Sequence, residues 1–206
     1  AVSTYALIRD ETAERKAAAF LLGDNLERTT QGGGIYTYTS QQGAAAFRDT
    51  GSFDAAGSLS QENAEAFCRD FCKAFSYDTP IFTLDETGSG TATAVRLWNG
   101  TPVFNAAVTF TIDQGRVLSA SGALLPETGA ETSSGQKPLS AFAALTAFQQ
   151  MRHASSSVVS SITEVSLCYE LQSTTAAPMA LVPSWRIVTD TATFYVNCIS
   201  GTVRRA

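Results

Sequence analysis

The stretch Ser60-Gln61-Glu62-Asn63-Ala64-Glu65-Ala66-Phe67-Cys68-Arg69-Asp70-Phe71-Cys72-Lys73-Ala74-Phe75 reads as an amphipathic helix. Ala64, Phe67, Cys68, Phe71, Cys72 and Phe75 recur at intervals of three and four, so they share one apolar stripe. Glu62, Glu65, Arg69, Asp70 and Lys73 fall on the opposite side. Ser60 is placed as the N-cap acceptor, with Asn63 at the third helical position. Beyond Pro80 the period changes from 3.6 to 2. Strands are expected at Ile81–Leu84, Ala92–Trp98, Val103–Ile112 and Arg116–Leu125, separated by Gly88-Ser89-Gly90, Asn99-Gly100 and Asp113-Gln114-Gly115. Asn-Gly between alternating apolar runs is a strong hairpin signal, because both residues tolerate the positive φ of a type I′ turn.

Reading outward, the same plan recurs on both sides. Upstream, Glu11 to Leu22 is expected as a helix with Ala13, Ala17, Phe20 and Leu21 on one face and Gly23 ending it. After Gly32-Gly33-Gly34 comes the alternating strand Ile35-Tyr36-Thr37-Tyr38-Thr39, a turn at Gln41-Gln42-Gly43, and a returning strand from Ala44 to Phe53 bent at Gly51. Downstream, Pro126 to Lys137 lose apolar periodicity and read as a linker. A third helix begins near Pro138 and buries Leu139, Phe142, Leu145, Phe148 and Met151. Strands follow at Ile162–Leu171, Leu181–Thr189 and Thr193–Ile199, with Pro183 expected at a strand end or edge.

The expected fold is therefore α+β: repeated helix plus antiparallel β-meander units in two sub-domains. The expected divisions are 1–57 (helix and hairpin), 58–126 (helix and meander), 127–137 (linker) and 138–206 (helix and meander).

Composition narrows the function. In 206 residues the apolar share is 44%, enough for a core that needs no staple. Charged residues are only 16%, against roughly 25% in an average globular protein, and the net charge is −5. The cationic doublets Arg15-Lys16 and Arg204-Arg205 are far apart, so the clustered cations that a phosphate backbone requires are missing. Nucleic acid is not an expected partner. No apolar run of about 18 residues spans a membrane. The chain opens at Ala1 rather than Met, which fits a piece whose anchor or signal has been removed.

The search for chemistry yields no catalytic constellation, cofactor motif or metal set. His153 is the single histidine and stands at a helix end, where its cationic form suits the dipole. Ser134-x-x-Lys137 matches a hydrolase pattern but precedes Pro138 in a Ser/Gly stretch, where the pattern's helix is absent. Leu125-Pro126-Glu127-Thr128-Gly129 matches a sortase signal, yet a whole patterned domain follows in place of the hydrophobic segment and basic tail. Asp85-Glu86, Asp113 and Asp190 sit in expected turns, where carboxylates bind backbone. Asn99-Gly100-Thr101 is a glycosylation sequon that the hairpin turn already explains. The four cysteines, Cys68, Cys72, Cys168 and Cys198, are either buried thiols acting as small hydrophobes or include a Cys168–Cys198 disulfide between neighbouring strands. Trp185, Tyr195 and Val196 lie on adjacent strands and are expected to pack across a hairpin.

Two segments carry a family resemblance. Val103-Phe104-Asn105-Ala106-Ala107-Val108-Thr109-Phe110-Thr111-Ile112-Asp113-Gln114-Gly115-Arg116-Val117 with Ser121-Gly122, and Pro183-Ser184-Trp185-Arg186-Ile187-Val188-Thr189-Asp190 leading to Phe194-Tyr195-Val196-Asn197 and Gly201-Thr202-Val203, both resemble PepSY-type domains. With Ile35-Tyr36-Thr37-Tyr38, Gly43, Phe47-Arg48, Gly51 and Phe53 ahead of them, the whole order is similar to the YycH/YycI group of Gram-positive bacteria. The resemblance implies a non-catalytic, extracytoplasmic regulatory domain, membrane-anchored or secreted, whose partner is the sensor kinase of a two-component system. PepSY-type propeptides imply the alternative, an inhibitor or chaperone of a secreted protease. From the residues alone, Tyr36 and Tyr38 are the candidate interaction surface. They alternate with threonine on an early strand, and tyrosine supplies rigid area with a polar tip at interfaces.

Overall fold

A computed structural model describes residues 2–60, 63–155, 158–174 and 177–206. Among them the order is β1 (Val2–Ala6), α1 (Glu11–Leu22), β2 (Glu27–Gln31), β3 (Ile35–Ser40), β4 (Gly43–Phe47), β5 (Ser52–Gly57) and α2 (Ala64–Ala74). Then come β6 (Ile81–Leu84), β7 (Gly90–Trp98), β8 (Thr101–Asp113), β9 (Arg116–Ala123), β10 (Ala130–Gln136) and α3 (Ala141–Ser155). The chain closes with β11 (Ile162–Gln172), β12 (Ala180–Thr189), β13 (Thr193–Asn197) and β14 (Val203–Arg205). The α+β class with antiparallel sheets is as expected. The chain forms two compact units, a large one of Leu7–Thr128 and a small one that joins the first six residues to Gly129–Ala206.

The large unit is one antiparallel sheet in the order β2-β3-β4-β5-β9-β8-β7-β6. Residues paired across it share a face, and one row runs Tyr38–Ala45–Ala55–Ala120–Phe110–Ala92–Phe82. This face meets α1 and α2. Small residues alternate with large ones, so the Phe71 ring drops between strands and reaches Phe53 and Phe110. Phe71 is fully buried, and its ring centroid lies 4.7–6.3 Å from those of Phe20, Phe53, Phe75, Tyr77 and Phe110. Gly122 sits on the same face, where a Cβ would meet the Ala107 carbonyl oxygen at 2.2 Å. The opposite face is dressed in hydroxyls, with Thr91, Thr93, Thr111 and Ser121 exposed.

The small unit is a sheet in the order β10-β1-β12-β13-β14, with β11 paired to β12. Ala144 and Phe148 of α3 pack on Ile187, Phe194 and Val196. Pro183 is inside β12, not at its end. Its carbonyl accepts from Cys198 N–H, so its absent N–H would have pointed to the same side. That side is where β12 passes from pairing β1 (at Ala180 and Leu181) to pairing β13 (from Ser184), so no ladder bond is lost.

Several expectations need correction. Residues 1–57 are not a separate unit, because β5 pairs with β9 from Ser52↔Ala123 to Ala56↔Ser119 and so joins β2–β5 to β6–β9. The stretch 127–137 is not a linker throughout. β10 pairs with β1, since a strand is held by backbone groups and its polar side chains conceal it. Ala44 to Phe53 is two strands, as Gly51 at φ +83 turns the chain between β4 and β5. Asn63, not Ser60, caps α2: its side chain accepts from Ala66 N–H at 3.1 Å. Ser60 is instead held beside β9, its N–H on the Val117 carbonyl at 3.3 Å. Glu62, expected on the outer side of that helix, lies outside the described residues. The Asn99-Gly100 hairpin forms as expected, with φ of +48 and +78.

Candidate functional site

Among the described residues, four large apolar side chains of the small unit are exposed, while Ile8, Ile81 and Leu118 are exposed in the large unit. Phe142 is 81% exposed, Val158 80%, Leu167 41% and Ile162 38%. Their exposure follows from where α3 lies. Ser140 accepts from Ala143 N–H at the start of α3, and Trp185 Nε1 donates to the Leu139 carbonyl at 2.8 Å. The helix then runs over β13 and β14. On the α3 side of the sheet, Val165 pairs with Ile187 and Leu167 with Trp185. The residues nearest β13 and β14 are covered, while Leu167 on β11 is left open.

Phe142, Leu145, Gln149 and Arg152 succeed one another at helical spacing on one side of α3. Arg152 donates to the Val159 carbonyl at 3.1 Å, so that side of the helix faces the segment entering β11. Asp190 fixes the same segment by accepting from Ser160 N–H at 3.1 Å and Ser161 N–H at 3.4 Å. Phe142 and Leu167 therefore flank an apolar shelf open along the β11 edge. On the other face of β11, Glu164 receives Ser166 Oγ at 2.8 Å and pairs with Arg186 at 3.0 Å. These bonds hold the Glu164 carboxyl below the usual carboxylate range, the Ser166 hydroxyl contributing most.

Tyr36 and Tyr38 are placed differently from the sequence expectation. Tyr38 is 2% exposed and packs edge-on to Phe47 at 5.8 Å, so it belongs to the core and not to a surface. The tyrosine side of β3 is its inner side, since α1 covers it, and the strand's threonines face away. Nor is β3 an edge, because it pairs with both β2 and β4. Tyr36 is half-buried beneath the Arg9 and Arg28 guanidiniums, 3.9 and 4.5 Å from its ring centroid, and donates to Glu11 at 3.1 Å. Arg9 is committed to Glu14 at 2.6 Å and to the Phe47 carbonyl at 3.0 Å, so the cluster binds α1 to the sheet.

The remaining sequence candidates fall into structural places. Ser134 and Lys137 lie on and just beyond β10, and no helix joins them. His153 is exposed near the end of α3. Asp85 accepts from Thr87 N–H at 2.8 Å and Ser89 N–H at 3.0 Å, closing the turn between β6 and β7. In the sortase-like stretch, Leu125 is 2% exposed and its carbonyl accepts from Arg96 at 3.3 Å. Arg96, which the sequence reading passed over, is fully buried. It also donates to the Ser76 carbonyl at 2.7 Å and pairs with Glu127 at 3.0 Å. Burial lowers its pKa from the ordinary arginine value, and the Glu127 charge opposes that shift.

All four cysteines are free and buried. Cys168 lies on β11 and Cys198 beside Pro183 on the far side of β12, so one strand stands between them. Two strand spacings place their Cα atoms roughly 10 Å apart, beyond the roughly 7 Å a disulfide can span. Trp185 and Val196 share the α3 face as a direct pair, while Tyr195 pairs with Arg186 on the other face. The expected three-residue packing is thus a two-residue one. Among the described residues no group of three or more His, Cys, Asp or Glu is placed to hold a metal ion. None of their helices is long and apolar enough to cross a membrane.

No family model matches the chain, and no curated protein matches it either. Among solved structures, an uncharacterized protein from Eubacterium rectale is similar over 98% of this chain and 80% of its own, with 13% identity and a TM-score of 0.55. The C-terminal domain of YpeB from Bacillus megaterium covers 97% of this chain and 98% of its own at 13% identity and a TM-score of 0.42. YycH from Bacillus subtilis covers 100% of this chain and 50% of its own at 12% identity and a TM-score of 0.40. At such identities the likeness to the Eubacterium rectale protein is one of fold.

Proposed function

We propose that this chain is a non-catalytic interaction domain that works outside the cytoplasm by binding another protein through the open side of its small unit. The observation that supports this is the apolar shelf of Phe142, Leu167 and Ile162 beside an open strand edge. Contiguous exposed apolar surface on a soluble domain marks interaction sites more often than single exposed residues do. Phe142 is 81% exposed on a helix whose opposite side is well packed, so the fold does not require an aromatic there.

The resemblance read from the sequence assigns the partner's class, a membrane sensor kinase of a two-component system. The test uses the chain and its Phe142→Ser variant as baits against detergent-solubilised membranes and secreted proteins of the source organism, read by mass spectrometry. A sensor kinase captured by the parent and lost with Phe142→Ser is the expected result. A secreted protease with the same dependence would replace the kinase reading by the inhibitor reading. Equal capture by both baits would remove the shelf from the account.

A further inference from the structure

The sheet edges of this protein are not alike. In the large unit β2 has five residues and carries Glu27 and Arg28, and β6 has only four. In the small unit β14 has three residues, two of them Arg204 and Arg205, and β10 is polar with Gly135 at φ +66. Short length, charge and local distortion are the ordinary ways in which natural sheets keep an edge from recruiting another strand. β11 is longer than these edges, and its two charged residues, Glu164 and Glu170, are paired with Arg186 and Arg204. It has eleven residues, no proline, lysine or arginine, and among the described residues it pairs with β12 alone. Its one irregularity lies at its beginning, between Ile162 and Glu164. Residues 162–167 are exposed or half-buried, a length of about 20 Å at the usual rise of a strand.

We propose that residues 162–167 of β11 accept an extended segment of another polypeptide as an added strand, one with apolar residues at every second position and hydroxyl or basic residues between them. This rests on the interaction reading above and deepens it by giving the partner segment's conformation and residue pattern. The backbone sets the conformation. The outward N–H and C=O groups of β11 recur at every second residue, and another strand satisfies them as a set. A helix laid in the same place would cover the shelf but leave those groups facing apolar surface, at a cost for each one desolvated.

The two faces of β11 set the pattern. A strand added about 4.8 Å outward continues the face that bears Val165 and Leu167, beside the flank of α3 with Phe142 and Leu145. Its side chains there are apolar, and they bury Phe142. On the other face its neighbours are Ser166 and the half-exposed Glu164, whose carboxylate suits a hydroxyl or an amine and disfavours a second acid.

The test is selection of random twelve-residue displayed peptides on the immobilised chain, followed by affinity measurement of the recovered peptides. The expected winners carry apolar residues at i, i+2 and i+4. Phe142→Ser weakens them at least tenfold. N-methylation of one alternate set of their backbone amides weakens them to the same degree, while methylation of the other set is tolerated. Winners with apolar residues at i, i+3 and i+4 that still depend on Phe142 would overturn strand addition and leave the interaction surface standing. Winners indifferent to both Phe142→Ser and Leu167→Thr, or no winners, would overturn both. An unchanged urea midpoint for Phe142→Ser, expected from its exposure, keeps the comparison from resting on a misfolded variant.

Discussion

The two units build the same motif, helix on antiparallel sheet, and finish it to different degrees. In the large unit two helices share one face of eight strands, and α1, α2 and the sheet meet in a knot of aromatic rings around Phe71. Its other face is hydroxyl-bearing and needs no cover. In the small unit the described residues place one helix over β13 and β14, and Ile162 and Leu167 of β11 stay exposed. A sheet covered by enough helix is a stable object in itself. One that keeps apolar side chains beside an open edge has surface that the added strand proposed above would cover.

The largest test of that contrast is in the cores. Phe71→Ala removes a ring with five aromatic neighbours, whereas Phe148→Ala removes one whose aromatic partner is Phe194 at 5.0 Å. Aromatic truncations in cores cost about 3–5 kcal/mol. Phe71→Ala is expected at the upper end and Phe148→Ala at the lower end in urea unfolding. Equal losses would mean that the small unit is as fully packed as the large one.

The next effect separates buried charge from surface charge. Arg96→Met removes the guanidinium donors to the Ser76, Leu97 and Leu125 carbonyls, of which Ser76 keeps the Leu97 N–H, and is expected to cost about 3 kcal/mol. Glu127 is its ion-pair partner but is 66% exposed. Glu127→Gln is therefore expected to cost less than about 1 kcal/mol. A large loss for Glu127→Gln would show that the ion pair, not the carbonyls, is what Arg96 contributes. The same geometry predicts that sortase with triglycine leaves the folded chain intact, because Leu125 is buried and bonded through its carbonyl.

Much of this architecture is legible in the sequence, and the failures have a common cause. α1 lies at Glu11–Leu22 as its alanine and leucine spacing indicates, and the two-residue turns at Asn99-Gly100 and Gln114-Gly115 fall between the expected strands. Strands with amphipathic alternation announce themselves through side chains. β2 (ERTTQ) and β10 (AETSSGQ) do not, because only their backbones take part in the sheet. The site fails for a related reason. Alternation on β3 reveals two faces but not which one a helix will cover, so the expectation that Tyr38 faces outward fails where α1 makes it core. Phe142, expected on the buried face of α3, is exposed. Its angle from Ala144 and Phe148 around the helix was the available signal, and the rotation of α3 on its sheet decided the matter.

The buried thiols and phenols give a smaller, pH-dependent comparison. Burial pushes Cys68 and Cys72 in the large unit up to about 12. In the small unit it pushes Cys168 and Cys198 up to about 12 and about 11, and Tyr169 and Tyr195 up to about 12. Raised values mean that the unfolded chain loses these protons first. Their contribution to stability is thus complete below the ordinary thiol value of 9.0 and is lost as pH climbs toward about 12. Thermal midpoints are expected to hold between pH 7 and about 8.5 and to fall above about 9. A thiol reagent at pH 8 is expected to find no fast-reacting cysteine in the folded chain and four in unreduced, unfolded protein. Two in the unfolded protein would mean that Cys168 and Cys198 pair despite the strand between them.

The smallest expected effect is the most informative about the shelf. If Phe142 belonged to the core of the small unit, Phe142→Ser would cost several kcal/mol, as Phe148→Ala does. With the ring 81% exposed, its removal is expected to change the urea midpoint by less than about 0.5 kcal/mol equivalent. It is also expected to raise solubility, because an exposed aromatic beside an open strand edge favours association. A loss of stability with Phe142→Ser would return Phe142 to the core and erase the contrast between the two units.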